Sequence, residues 1–362
     1  MFFGSRPLTN QSALLSKSNL KPEEIRFVVG LDIAKNVFQI YSVDQQSGEI
    51  ESKPIKRDEL LEYFTNKDPC LIGIEACGSS QYWARKLTEL GHAVKLMHPK
   101  SVKPYVIGSK SDTNDAIGIF RATIDNLVRE VPIKSVKIQS TDSVLTIRTG
   151  KVKEQTAAIN RFRGIVSEFG IIIPKSVKQF HKHAKDALCQ LEAVIEEPLY
   201  QSLQDELTEI GQREETIKIY DKRIAEINEE NELGRRLKEI PGIGEIIACA
   251  MSVLLTDPRV FRNGRDFAAF LGLVPGHTGS GGKTIMLGIT KRGDKWRRSL
   301  LVQGAMSMMR SAKRPDKVQR MKDKGKPTKV IAVALANKIV RCMWAMAATG
   351  ESYKALATID AK

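Results

Sequence analysis

RFVVGLDIAKNVFQIYSVD, residues 26–44, decides the fold of this chain. Phe27 to Leu31 is an apolar run that ends in the carboxylate of Asp32. Val37, Phe38, Ile40 and Val43 follow among polar residues, before Asp44-Gln-Gln-Ser-Gly48 turns the chain. An apolar run bounded by turn residues reads as a buried strand, and the second stretch as the other arm of a hairpin. Working outward, residues 49–55 supply a third strand, 58–65 a short helix, and CLIGIEA (70–76) a fourth, buried strand. Ser80 to Leu90 is amphipathic through Trp83, Leu87 and Leu90, and Gly91 stops it. Residues 92–97 make a fifth strand, and Asp112 opens a helix that runs to about Val128.

Strand-strand-strand-helix-strand-helix-strand-helix, with an antiparallel start, is the RNase H-like (RuvC-like) order, a mixed-sheet α/β domain. From Lys151 the character turns helical, with INRFRGIVSEFGI (159–171) one helix closing at Gly170 and a polar stretch, KSVKQFHKHAKD (175–186), behind it. Leu203, Ile210, Ile217 and Ile224 recur every seven residues, with Tyr220 and Ile227 offset by three, so residues 199–228 predict a coiled-coil arm. Pro198 breaks or kinks the helix before it. The seam needs a partner, either a second helix of this chain or another subunit. Near Leu237, LKEIPGIGEIIACAM (237–251) has the pattern of a helix-hairpin-helix, in which Gly242 and Gly244 would let backbone N–H groups approach a phosphate. The bland alternative is a tight turn between helices that contacts nothing.

The 362 residues carry a net charge of +15, and the charge is segregated. Residues 283–341 hold 17 Lys and Arg against Asp294, Asp316 and Asp323, whereas residues 186–232 hold 14 Asp and Glu against four Lys and Arg. A long basic run interleaved with helical apolar positions is a footprint for a polyphosphate partner, since each neutralised phosphate releases counterions. Cys70, Cys77, Cys189, Cys249 and Cys342 form no CxxC pair, which argues against a zinc module or a disulfide framework and fits a reducing cytoplasm. The N-terminus lacks the apolar core of a signal peptide. No stretch approaches the roughly 18 to 20 apolar residues that span a bilayer, so no membrane partner is expected.

Four carboxylates stand where metal ligands fit. Asp32 and Glu75 end adjacent strands, and Asp112 and Asp115, spaced i, i+3, share one face of the last helix. Hard divalent ions take oxygen ligands, and a pair of them stabilises the attacking and leaving oxygens of a phosphoryl displacement. Singly, each acid would be a strand end or a helix cap. A second constellation is VPGHTGSGGKTIMLGITKRGDKWRRSLL (274–301), where Ser280 sits among Gly279, Gly281 and Gly282 with Lys283, Lys291, Arg292, Arg297 and Arg298 after it. Glycine freedom would let the hydroxyl reach phosphorus, and the cations would offset charge on phosphate oxygens. On composition alone such a loop is a flexible linker. No His or Asp at triad spacing marks a base for the serine. His181 and His183, flanked by Lys182 and Lys185, read as exposed loop residues rather than a metal pair.

The chain resembles the DEDD-type insertion-sequence transposases of the one-ten group, which include the Piv-type DNA invertases. GLDIAKNVFQIYSVD (30–44), residues 73–106 and KSDTNDA (110–116) resemble its N-terminal blocks, and INRFRGIVSEFGI its middle block. EIPGIGEIIA (239–248), FRNGRDFAAFLGLVP (261–275), SGGK (280–283) and residues 287–305 are similar to its C-terminal transposase domain. The resemblance implies a RuvC-like catalytic domain over 26–150 whose Mg2+ or Mn2+ ligands are Asp32, Glu75, Asp112 and Asp115. It also implies a helical and coiled-coil region over 151–235, a transposase domain over 236–348 with Ser280 as nucleophile, and tails at 1–25 and 349–362. Implied too are double-stranded DNA as substrate, a structured guide RNA, and a homo-oligomer, dimer or tetramer, in which the acidic site of one subunit faces the serine of another. Many members carry Gln-His-Ser-Ser-Gly-Gly in the serine loop, where this chain has His277-Thr278-Gly279-Ser280-Gly281-Gly282 and keeps only the second serine. The competing readings are a Holliday-junction resolvase or nuclease that hydrolyses with water, an actin-like ATPase, and a non-catalytic nucleic-acid-binding protein.

Overall fold

A computed structural model describes residues 22–279, 282–311 and 315–353, and the first of its two units, ending at Val136, is built on a five-stranded sheet. Its elements are β1 (Phe27–Asp32), β2 (Val37–Asp44), β3 (Ile50–Lys56), α1 (Leu60–Thr65), β4 (Cys70–Glu75), α2 (Ser80–Glu89), β5 (Ala93–Met97), α3 (Pro99–Val102) and α4 (Asp112–Ile124). Strand order is β3-β2-β1-β4-β5. β1 pairs antiparallel with β2 and parallel with β4, and β4 pairs parallel with β5. A mixed α/β sheet of this order is consistent with the RNase H-like reading. One face is covered by α1 and α2, where Leu31, Phe38, Ile40, Ile72, Ile74, Trp83, Leu87 and Leu96 form a core. The other face carries α4.

The second unit, from Lys137 onward, opens with α5 (Val136–Glu168), a helix that runs through the border expected at 150. It continues with α6 (Val177–Leu191), α7 (Glu197–Glu230), α8 (Glu232–Leu237), α9 (Glu245–Leu254), α10 (Gly264–Phe270), β6 (Pro275–Thr278), β7 (Ile285–Ile289), α11 (Lys295–Arg310), α12 (Asp316–Asp323) and α13 (Thr328–Thr349). The polar stretch expected as a loop is α6, capped by the Ser176 hydroxyl and burying Phe180, Ala184, Ala187 and Leu188. Histidines 181 and 183 are therefore helical, the first beside Glu214 and the second beside Gln179.

The heptad seam finds its partner within the chain. Arg148 pairs with Asp221, the Gln155 amide donates to the Ile210 carbonyl, and Arg161 pairs with Glu206, so α7 runs antiparallel to α5. Leu203 and Ile210 are buried with Ile159, Phe162 and Phe180, while Ile224 packs with Leu145. Pro198 sits in the first turn of α7, where its missing N–H leaves no hydrogen bond unmade.

Among the described residues one helix, α13, is long and apolar enough to cross a membrane by length and composition alone. Its Ile331, Leu335, Ile339, Val340, Met343 and Met346 are buried in the core of this unit, and Lys338 and Arg341 interrupt it.

A candidate metal centre on the sheet and a basic region in the second unit

Strand pairing places two rows of residues side by side on the α4 face. Gly30 of β1 stands opposite Tyr41 of β2 and Gly73 of β4, and Gly73 stands opposite Lys95 of β5. Two residues further along, on the same face by the period of a strand, come Gln39, Asp32, Glu75 and Met97. The first row seats the helix and the second bears the acids.

The seat explains the glycines. A Cβ on Gly30 would lie 2.2 Å from the Ala116 carbonyl oxygen and 2.5 Å from the Phe120 nitrogen, and one on Gly73 would lie 1.7 Å from Thr123 Oγ1. Backbone of α4 thus rests directly on the sheet at Gly30 and the Thr123 side chain fills the notch at Gly73, with the Tyr41 ring against Phe120 at 5.2 Å on one side. The first turn of α4 is brought to the end of β1. Ser111 caps that turn by accepting from the Asn114 N–H, and Asn114 donates back to the Ser109 carbonyl.

There the structure brings Asp32, Asp112 and Asp115 together, with one carboxylate oxygen from each within 4.8 Å of the others. Glu75, the neighbour of Asp32 in the parallel pair, lies outside that triplet but close enough for its charge to act on Asp32. Burial, then the charges of Asp115, Asp112 and Glu75, push the Asp32 carboxyl up to about 6. Burial and then Asp115 raise Glu75 as well. Among the described residues none of the four acids makes an ion pair. Clustered carboxylates without a compensating side-chain cation are a donor set for a hard metal ion. Oxygens around one octahedral ion with bonds of about 2.1 Å stand about 3 to 4.2 Å apart, the range that three carboxylates converging on one ion must meet.

In the second unit, Ser280 lies outside the described residues, in the connection between β6 and β7. The base of that connection is tight: Thr278 pairs with Ile285, and a Cβ on Gly279 would lie 1.9 Å from the Lys283 carbonyl oxygen. Lys283, Lys291 and Arg292 are exposed, and Lys291 has a left-handed backbone, φ 53°. Arg297 and Arg298, expected to hold nucleic acid, are instead committed within the fold. Arg297 is 12% exposed and pairs with Asp142 of α5 and with Asp294, while Arg298 donates to the carbonyls of Leu271, Arg292 and Gly293.

Gly242 and Gly244 also part company. Gly242, at φ 83°, lets the turn after α8 approach α11, where a Cβ would lie 2.3 Å from the Gly304 carbonyl oxygen. That is the internal-packing alternative to a phosphate contact. Gly244 caps α9 with open space around its Cβ position.

Sequence reasoning missed Gly30 and Gly73, which seat α4; their signal was present as Gly-x-Asp at 30–32 and Gly-x-Glu at 73–75, a small residue two places before each acid and so on the same strand face.

Residues 29–171 match a family model described as Transposase, of the DEDD IS110 type, and residues 234–321 match one described as Transposase IS116/IS110/IS902 family. A protein of Pseudomonas aeruginosa named "Probable family 20 transposase" is 37% identical over 331 residues, covering 90% of this chain and 98% of the relative. The transposase for insertion sequence element IS1111A of Coxiella burnetii is 32% identical, over 90% of this chain and 91% of its own. That for IS1328 of Yersinia enterocolitica is 31% identical, over 89% and 97%.

Proposed function

This chain belongs to the IS116/IS110/IS902 family of transposases, DNA-binding and DNA-cleaving enzymes whose DEDD type implies a divalent metal, and on that premise we propose that it recombines DNA with two separate sets of residues. The first is the acidic cluster on an RNase H-like sheet. Asp32, Asp112 and Asp115 would hold Mg2+ or Mn2+, with Glu75 at the edge of the set. A bound divalent pair would neutralise phosphate charge and steady the attacking and leaving oxygens of the displacement. The observation that carries this reading is the convergence of three carboxylates within 4.8 Å with no cation of the described residues among them.

The second set is Ser280 and the basic residues after it. The Ser280 hydroxyl oxygen attacks the DNA phosphorus and gives up its proton, a sugar oxygen of the cut strand leaves and takes up a proton to end as a hydroxyl, and a phosphoserine link holds the broken end for rejoining. Lys283, Lys291 and Arg292, with the open backbone of Gly244, grip the DNA backbone without reading sequence. Sequence choice falls to a guide RNA that pairs with DNA while the protein contacts backbone. The enzyme works in the cytoplasm as a homo-oligomer, dimer or tetramer.

Ser280→Ala and Asp115→Asn, assayed on a supercoiled donor, test both sets. The serine variant is expected to lose the covalent protein-DNA adduct and strand exchange, and the Asp115 variant to lose metal-dependent exchange. Metal-dependent cleavage that persists in Ser280→Ala without any adduct would replace this reading with that of a water-using nuclease. RNA that copurifies with the full chain, sequenced and tested for pairing to the element's target, tests the guide.

A further inference from the structure

Lys95 lies in the middle of β5 and is 5% exposed, a costly place for an ammonium. It continues the row Tyr41–Gly30–Gly73 under α4, and its Nζ donates to the carbonyls of Thr123 at 3.0 Å, Asp125 at 2.8 Å and Ala122 at 3.4 Å. These are the last carbonyls of α4, the negative end of the helix that bears Asp112 and Asp115 in its first turn. Asp125 also accepts from the Tyr105 hydroxyl. Val106, next in the chain, packs so closely on α4 that a Cβ at Gly118 would lie 2.5 Å from its side chain. The segment that leads into α4 and the end of α4 are thus tied at one point.

We infer that Lys95 is a positioning residue for the metal centre: it fixes the axial position of α4 on the sheet and thereby the distances from Asp112 and Asp115 to Asp32. Gly30 and Gly73 set how close the helix lies, and the Thr123 side chain seated over Gly73 is one point that opposes sliding. Three directed hydrogen bonds to one end also resist it. Metal coordination tolerates errors of a few tenths of an ångström in ligand placement, so a small axial slip of α4 would degrade the site. A long apolar side chain at this position would fill the space but leave the three carbonyls without this donor. Burial lowers the ammonium to about 8, against the opposing pull of Asp125 and Glu130, and it stays charged at neutral pH.

This inference rests on reading the acidic cluster as a metal site, and the test separates the two. Mn2+ affinity of the full-length protein is measured by electron paramagnetic resonance, well below the melting temperature, for wild type, Lys95→Met, Lys95→Arg and Leu87→Ala. Leu87 is buried on the opposite face of the sheet, so its truncation lowers stability without touching α4. Lys95→Met is expected to weaken Mn2+ binding by about 10-fold or more, as loss of a supporting contact does at other metal sites, and Lys95→Arg to restore most of it. Leu87→Ala is expected to leave it unchanged. Should Lys95→Met fail to fold, Lys95→Gln, which cannot reach all three carbonyls, takes its place with the same expectation. No Mn2+ binding by wild type would refute the metal site itself. Normal affinity in the folded Met or Gln variant, or equal loss in Leu87→Ala, would overturn the role of Lys95 and leave the site standing.

Discussion

In the metal-free protein Asp32, Asp112 and Asp115 repel one another, and Asp32 has also lost much of its hydration. Its value in the fold, about 6, lies above the ordinary 3.8. The native state therefore favours the neutral acid: this stabilisation is full below about pH 3.8 and is lost as pH rises through about 6. Asp32→Asn should stabilise the metal-free protein at pH 8 by about 1 to 2 kcal/mol, after allowance for water that still reaches the group, and by nothing at pH 3.5. Denaturant unfolding in chelator at the two pH values checks this, and an equal effect at both would refute it. Arg297 and Lys291 offer a contrast in kind. Arg297→Ala takes a buried cation from Asp142, which is itself 20% exposed, and should cost about 2 to 4 kcal/mol. Lys291→Ala should leave stability alone while weakening DNA binding and flattening its salt dependence.

At the scale of elements, α4 is the part on which the site turns. Gly30→Ala would force a methyl into the Ala116 carbonyl, an obstacle that cannot rotate away, so the helix must lift from the sheet. A loss of about 3 kcal/mol or more is expected by thermal unfolding, together with weaker metal binding. For the α5–α7 pair, Ile210→Ala should lower the melting temperature by an amount independent of protein concentration, because the seam is closed within one chain. Concentration dependence would instead assign the seam to another subunit. The order of strands was legible because apolar runs at 27–31 and 70–74 and turn residues at 44–48 punctuate the chain cleanly. The early start of α5 was not. Residues 138–149 are rich in Ser, Thr and β-branched side chains of low helix propensity, and Thr141, Ser143, Thr146 and Thr149 turn their hydroxyls back onto carbonyls four residues earlier. Packing of α5 against α7 overrides those preferences, and local sequence does not show it.

Across the whole molecule, the acids and the serine belong to different units, Asp32, Glu75, Asp112 and Asp115 to the first and Ser280 to the second. The four acids could be named from sequence because each falls at an element end in a readable order. Their support could not, since Gly30, Gly73 and Lys95 become one row only when three strands are in register. The basic excess of residues 283–341 likewise overstated the free cations: charge was visible, but not that Arg297 and Arg298 are held within the fold. Recombination by the first set of residues requires a divalent ion at the end of β1. Anomalous diffraction from crystals grown with saturating Mn2+ should place an ion about 2.1 Å from carboxylate oxygens of Asp32 and of Asp112 or Asp115. A map in which manganese scatters elsewhere, with those oxygens left bare, would contradict it.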